Sequence, residues 1–375
     1  MRRGALVAGA VVLTLVAACT TEADEPSAGS ASATSSAPAS PTATAGATQR
    51  PTGSPTGSPT VNPTGSPGEG TTESPAATPT SPRPHPVSLP ALFDREYDGR
   101  GLRLRQVLVR TDAYTQRYVT YRSNGLRISG VMNVPSGRGP FPVLVLAHGY
   151  IDPAVYANGQ GLRREQDWLA RAGYAVLHVD YRNHAGSDDD PNAERRLRLG
   201  YTVDVVNAVE AVRRSGLRFL DGDRVGLLGR SMGGGVVYNA LVARPGLVDA
   251  AVVYAPVSSR TADNFNRWIR PDAGRDDLAA RIIDAYGAPE DNPGFWRRAS
   301  PRTYFDRITE PLLIHHGTAD ESCPIRWSRQ SKAALDRAGA DARLVVYPGE
   351  PHAFVAAWPA SMRRTVRFFE RNLSD

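Results

Sequence analysis

The spacing of apolar positions divides the chain before any motif is considered. From residue 89 onward, short runs of apolar residues recur, bounded by glycine, proline and aspartate. "FPVLVLAH", "YAVLHVDY", "DRVGLLG", "DAAVVYAP", "PLLIHHG" and "ARLVVYP" are short and almost wholly apolar, so they predict strands buried on both faces of a parallel sheet. Between them the period lengthens to that of a helix, in "GLRREQDWLARAG", "AERRLRLGYTVDVVNAVEAVRRS", "SMGGGVVYNALVAR" and "IRWSRQSKAALDRAG". "AWPASMRRTVRFFERN" closes the chain with a further helix. Upstream, "RYVTYRSNGLRISGVMNVP" reads as two strands about Ser123-Asn124-Gly125, a hairpin signal. A hairpin followed by repeated strand–helix–strand units predicts an α/β fold. It would be a mostly parallel, doubly wound sheet with helices on both faces and an antiparallel N-terminal hairpin.

One stretch breaks this rhythm. Residues 258–305 contain no strand pattern, and only "RDDLAARIIDAYG" reads as a helix. An excursion of that length between parallel strands predicts a small cap-like insertion over the strand ends. Its Phe265, Trp268, Phe295 and Trp296 either line a substrate pocket or fasten the insertion to the body, and the sequence leaves both open.

The first 88 residues have a different texture. Met1-Arg2-Arg3 precedes the apolar run "ALVAGAVVLTLVAA" and Cys19. That run is short for a bilayer span and has the form of an export signal over residues 1–18. "LVAAC" resembles the lipobox of bacterial lipoproteins, which implies diacylation of Cys19 and an exported protein anchored to the cell membrane; an ordinary cleaved signal is the alternative. Residues 19–88 repeat Ser, Thr, Pro and Gly, as in "PTGSPTGSPT", and hold too few large apolar side chains to bury a core. They predict a disordered tether with a reach of roughly 45 Å. The folded domain is then residues 89–375.

Charge and cysteine content remove some function classes. The formal net charge is +6, and residues 1–88 hold four basic and five acidic groups, so the excess sits on the folded domain. Lys332 is the only lysine and the arginines are spread along the chain, which argues against a nucleic-acid surface. Of the two cysteines one is the lipidation candidate, so Cys323 is left without a disulfide partner or a Cys-based zinc site and reads as a small buried residue. His315 and His316 are adjacent, with no carboxylate or histidine at ligand spacing, so neither a metal nor another cofactor is expected. Nothing in the pattern specifies an oligomeric state.

Candidate chemistry gathers at strand ends, where ligands sit in such sheets. In "DRVGLLGRSMGGGVVYNA", Ser231 stands between Gly229 and Gly233, after a strand and before a helix. Small flanking residues permit the tight turn that lifts a hydroxyl above the sheet, and the following Met232 N–H would face a developing oxyanion. A dinucleotide-binding loop is the competing reading, but Gly229, Gly233, Gly234 and Gly235 are out of order for it. Such a serine needs a base and an orienting carboxylate. His352 in "YPGEPHAF" follows the last strand, and Asp320 in "HHGTADESCP" follows the one before. The order Ser231, Asp320, His352 is that of an α/β-hydrolase. Tyr150 in "LVLAHGYID" is the candidate for a second oxyanion N–H, with His148 holding that loop. Arg182, Asn183 and His184 in "DYRNHAGS" are pocket-shaping candidates without a catalytic role.

From Ser129 onward the chain resembles the catalytic domain of the prolyl oligopeptidase family, and also dienelactone-hydrolase-like serine hydrolases. The likeness rests on "LAHGY", "GYAVLHVDYR", "GRSMGGG", "ASPRTYFDRITEPLLIHHGTAD" and "YPGEPHAF". It implies Ser231 as nucleophile, Asp320 as acid and His352 as base. Cys323 stands where that family often has valine. Peptidases of the family carry a β-propeller before the hydrolase domain, whereas residues 89–126 are too few for one. The expectation is therefore a carboxylesterase-like enzyme acting on small esters or amides. A peptidase acting on short peptides is the runner-up, and a non-catalytic binding lipoprotein is a remote third.

Overall fold

The computed structural model describes residues 83–374. The export signal, Cys19 and most of the tether lie outside the described residues. The short helix α1 (Pro90–Phe93) precedes three antiparallel strands, β1 (Arg100–Arg110), β2 (Tyr114–Ser123) and β3 (Leu126–Pro135). Asn124 and Gly125 both take positive φ, 46° and 92°, which is the turn that a two-residue hairpin loop requires. Strand β1 was not legible. It is arginine-rich, only Leu102 of it is buried, and its register against β2 breaks three times, as an edge strand tolerates.

The remaining strands are those the apolar runs predict: β4 (Phe141–Ala147), β5 (Ala175–Val179), β6 (Leu220–Arg230), β7 (Ala250–Tyr254), β8 (Leu312–Gly317) and β9 (Ala342–Tyr347). They complete one sheet in the order β1-β2-β3-β5-β4-β6-β7-β8-β9, antiparallel as far as β5 and parallel from there. Strand β4 shows why the runs are apolar throughout. Val143, Val145 and Ala147 enter one core layer, while Leu144 and Leu146 enter the other. The first layer packs α3 (Leu199–Arg213), α4 (Met232–Ala243) and α8 (Ile325–Arg337), and the second packs α2 (Arg163–Arg171) and α9 (Trp358–Asn372).

Helix α3 starts later than its periodicity suggested. Leu197 and Arg198 have φ of 53° and 56°, which ends the preceding turns before the helix begins. Its polar residues are buried too. Asp204 and Asn207 reach the hairpin, where Ser123 Oγ donates to Asp204 and Asn207 Nδ2 donates to Asn124 Oδ1 at 2.7 Å.

Two further expectations are corrected. The insertion holds three helices rather than one: α5 (Thr261–Trp268), α6 (Asp276–Tyr286) and α7 (Pro293–Arg298), with 3₁₀ turns at Ala273–Arg275 and Pro301–Arg307. Helices α5 and α7 are too short to show a full apolar stripe. Three of the four aromatics fasten the insertion: Phe265, Phe295 and Trp296 are buried, and Tyr286 stacks on Phe295 with ring centroids 4.5 Å apart. The packed chain also begins before residue 89. His85 meets Phe295 edge-on at 5.2 Å, and Val87 and Ser88 are buried.

Candidate active site

Strand β6 passes into α4 through Ser231, whose φ of 56° and ψ of −120° lie where a side chain stays only under constraint. The constraint comes from both sides. The Ser231 N–H donates to the Tyr254 carbonyl at 2.9 Å, and the Ser231 carbonyl accepts from Gly234 at 3.0 Å and Val257 at 3.1 Å. A Cβ at Gly229 would stand 2.3 Å from the Gly233 carbonyl, and one at Gly233 would stand 2.0 Å from that of Ala147. The turn closes only because both positions lack one. Arg230, the preceding residue, pairs with Glu165 of α2, and Glu165 also accepts from Trp358 Nε1 of α9 at 2.9 Å.

Asp320 and His352 follow β8 and β9. His352 Nδ1 lies 3.0 and 2.9 Å from the two Asp320 oxygens. Asp320 Oδ1 accepts the N–H groups of Ser322 at 2.9 Å and Cys323 at 2.8 Å, and Oδ2 is 3.1 Å from His316 Nε2. Burial pushes the Asp320 pKa up, but hydrogen bonds from His316, His352 and the Cys323 N–H outweigh it and hold the carboxyl below its ordinary range. A carboxylate so placed keeps the proton on Nδ1 and leaves Nε2 free to act as a base. The His352 loop is itself braced: Glu350 accepts the N–H groups of Val355 at 2.6 Å and Ala357 at 2.8 Å.

No hydrogen bond joins Ser231 to His352 here. The polar contact of Ser231 Oγ is Cys323 Sγ at 3.9 Å. Hydrogen bonds of catalytic groups are often loose without substrate and tighten only in the complex. Cys323 is fully buried, as expected, but its contact with Ser231 was not. Burial lifts its thiol to about 12, so it stands beside the serine as a neutral group.

The loop after β4 packs on the same turn, since a Cβ at Gly149 would lie 3.3 Å from Ser231 Cβ. Among the described residues, the N–H groups of Tyr150 and Met232 have no hydrogen-bond partner. Met232 opens α4, where a helix leaves its first N–H groups unused. Tyr150 is half exposed, and its ring lies between two guanidinium groups, Arg198 at 4.6 Å and Arg275 at 4.8 Å. Arg275 belongs to the insertion and donates to Tyr150 Oη, while Arg198 Nη1 is 3.5 Å from Met232 Sδ. Neither arginine was singled out from the sequence, because no local pattern marks a contact made so far along the chain.

The remaining candidates hold the scaffold. His148 is buried and stacked on Tyr156, and its ring nitrogens face the carbonyls of Gly149 and Asp180; burial drives its pKa down to about 3. Arg182 forks onto Asp204 through Nε at 3.0 Å and Nη2 at 2.9 Å, Asn183 donates to the Asp190 carbonyl, and His184 bonds the carbonyls of Arg182 and Ile151. Their polar atoms serve the loop rather than a ligand. His316, passed over in the sequence, does meet a carboxylate, because residues four apart on either side of a tight turn come together at Asp320. Among the described residues no group of three or more His, Cys, Asp or Glu side chains is gathered as a metal site would need.

Comparison with known proteins adds a family. Residues 160–375, more than half of the chain, match the prolyl oligopeptidase family of S9 peptidases. The uncharacterized peptidase YuxL of Bacillus subtilis (strain 168) is 30% identical over 238 residues, which is 61% of this chain and 34% of that relative. The chain thus spans about a third of that curated relative's length. Among solved structures, the acylaminoacyl peptidase of Pyrococcus horikoshii superposes with a TM-score of 0.54 at 23% identity, over 71% of this chain and 43% of that one. The acetyl xylan esterase from Paenibacillus sp. R4 superposes with a TM-score of 0.57 at 18% identity, over 76% of this chain and 92% of that one. These two likenesses speak for the fold.

Proposed function

The chain belongs to the prolyl oligopeptidase family and has the α/β-hydrolase fold, and on that premise we propose that it is a serine hydrolase in which Ser231, His352 and Asp320 cleave carboxylic esters and small amides through an acyl-enzyme. The observation that carries the assignment is the His352–Asp320 pair at 2.9 Å, at the same strand ends as the strained Ser231 turn. Ser231 Oγ attacks the carbonyl carbon as its proton passes to His352 Nε2. The carbonyl oxygen takes the negative charge, and the otherwise unused N–H groups of Met232 and Tyr150 donate to it. When the tetrahedral adduct collapses, His352 returns the proton to the departing alkoxide or amine. Water then attacks the acyl group, gives its proton to His352, and Ser231 Oγ leaves with that proton restored. Asp320 holds the imidazole and its tautomer throughout.

Esters and small amides come first because the short insertion closes directly on the site's own loops, through Arg275 on Tyr150 and Arg267 on the Ser322 carbonyl. Short peptides are the second reading, favoured by the peptidase names among the relatives. A fluorophosphonate probe should label the wild-type protein with one equivalent and leave Ser231→Ala unlabelled. Equal labelling of both, or of neither, removes Ser231 from the chemistry. Turnover of p-nitrophenyl esters against aminoacyl and dipeptidyl p-nitroanilides then separates the two substrate readings.

Export and a diacylated Cys19 remain part of this proposal on the strength of "LVAAC". Expressed in a bacterium that processes lipoproteins, the protein should fractionate with membranes, and Cys19→Ser should move it to the soluble fraction. An unchanged distribution argues against the anchor.

A further inference from the structure

We propose that the cleft between α5 and α8 binds a carboxylate carried by the substrate's acyl part, making the enzyme selective for acidic acyl groups. The proposal rests on the hydrolase reading above and names its substrate class. The cleft has a volume of about 460 Å³ and brings Arg260, Arg267 and Arg326 together with Asp263 and Trp327. That volume falls in the range of roughly 300–1,000 Å³ usual for small-molecule sites.

The charges do not cancel within it. Among the described residues, the side chains of Arg260 and Arg326 make no hydrogen bond or ion pair. The single acid, Asp263, accepts Ser258 Oγ at 2.6 Å and pairs with none of the three arginines. Two further observations point the same way. Helix α8 opens at Ile325 with no acid in its first turn, so its positive dipole end lies beside Arg326. Arg302 feels the surplus: burial, and after it the charge of Arg260, push its guanidinium pKa below the ordinary value. Its Nη2 is buried without a partner.

Arg267 ties this charge to the reaction centre. Its Nε donates to the Ser322 carbonyl at 2.8 Å and its Nη2 to the Glu321 carbonyl at 2.7 Å, and its guanidinium lies 6.0 Å from the ring centroids of both Trp268 and Trp327. Held on four sides, it keeps Nη1 for a ligand. The next residue, Cys323, touches Ser231 Oγ at 3.9 Å. Arg267 and Ser231 thus flank the same 321–323 segment, Arg267 on its carbonyls and Ser231 on the Cys323 thiol, and the proposal places the ligand's carboxylate on the first side and its acyl carbon on the second. The planar fork of a guanidinium matches a carboxylate in two parallel hydrogen bonds. With one internal acid against three arginines the cleft suits a small anion rather than a polyanion.

The test compares N-acetylglutamyl and N-acetylglutaminyl p-nitroanilides, which share a shape and differ in charge. Wild type should favour the glutamyl substrate in kcat/KM by about tenfold or more, the worth of one charge-assisted hydrogen bond. The ratio should fall towards one in the double variant Arg260→Gln, Arg326→Gln. A second arm needs no turnover: calorimetry on Ser231→Ala should detect N-acetylglutamate α-amide and not N-acetylglutamine α-amide, which differ only in the side-chain carboxylate, and the two arginine substitutions should abolish that binding. N-acetylglutamate α-amide should also compete with the glutamyl substrate, whereas an anion held elsewhere would not. A wild-type ratio near one, or glutamate binding that survives the double variant, overturns the proposal. If fluorophosphonate fails to label Ser231, the hydrolase reading falls, and the calorimetric arm still decides the cleft.

Discussion

Asp320→Asn is expected to lower kcat about 10⁴-fold with a much smaller change in KM. The substitution keeps the size of the side chain and removes its charge. In wild type both Asp320 oxygens face His352 Nδ1, at 3.0 and 2.9 Å, so the ring proton sits on Nδ1. An amide also presents N–H, and when that group faces Nδ1 the imidazole must accept there and carry its proton on Nε2. The nitrogen that should take the serine proton is then already protonated. His316 on Oδ2 and the Cys323 N–H on Oδ1 leave the side chain little freedom to turn. Single-turnover rates with a p-nitrophenyl ester measure the effect, and a kcat within tenfold of wild type would remove Asp320 from the mechanism. The pH behaviour follows from the sign of its shift. A carboxyl held below its ordinary pKa contributes stability that is fully present above the unfolded value of about 3.9 and is lost as pH falls through the folded value. Asp320 therefore stays charged through the neutral range, and an activity change between about pH 5 and 8 must come from another group.

What the sequence disclosed, and what it hid, follows from the range of the interactions involved. Strands β4 to β8 were legible because each has a stretch buried on both faces, which imposes a continuous apolar run, and β9 because its run stays apolar although it lies half-exposed at the sheet edge. Strand β1 was not, because it holds the sheet edge mainly by backbone pairing and carries arginines outward. Ser231 was legible because a tight turn demands local glycines, which leave a pattern of five residues. Asp320 and His352 were legible because each follows a recognisable strand. The groups that surround them leave no such trace. His316 was discounted by spacing along the chain, while the turn at Thr318 and Ala319, just past β8, brings Asp320 back onto it. Arg275 on Tyr150 and Arg267 on the acid-bearing loop come from an insertion whose short helices carry little periodicity. The sequence also left the insertion's aromatics open between lining and fastening, and burial of Phe265, Phe295 and Trp296 shows that fastening took most of them.

Glu165→Ala should destabilise the domain by about 3–5 kcal/mol, the cost of stranding a buried charge, out of a total of roughly 5–15 kcal/mol. Glu165 is 1% exposed and its partner Arg230 only 15% exposed. Removing the carboxylate strands the Arg230 guanidinium, whose Nε already lacks a partner, and orphans the indole N–H of Trp358. The damage is positioned to reach the chemistry, because Arg230 adjoins Ser231 and the Ser231 backbone is strained. A shift of the turn by about 1 Å can reduce kcat by about 10²-fold, so activity should fall at temperatures where the protein remains folded. Thermal melting and kcat at 25 °C, measured on one preparation, separate the two effects. Restoring shape without charge isolates the cause. The pair Glu165→Leu, Arg230→Met removes both ions, and replacing a buried ion pair by apolar side chains is often neutral. The double variant should therefore recover most of the stability lost by Glu165→Ala. If it melts no higher than the single variant, the loss came from packing, and the ion pair does not hold the serine turn.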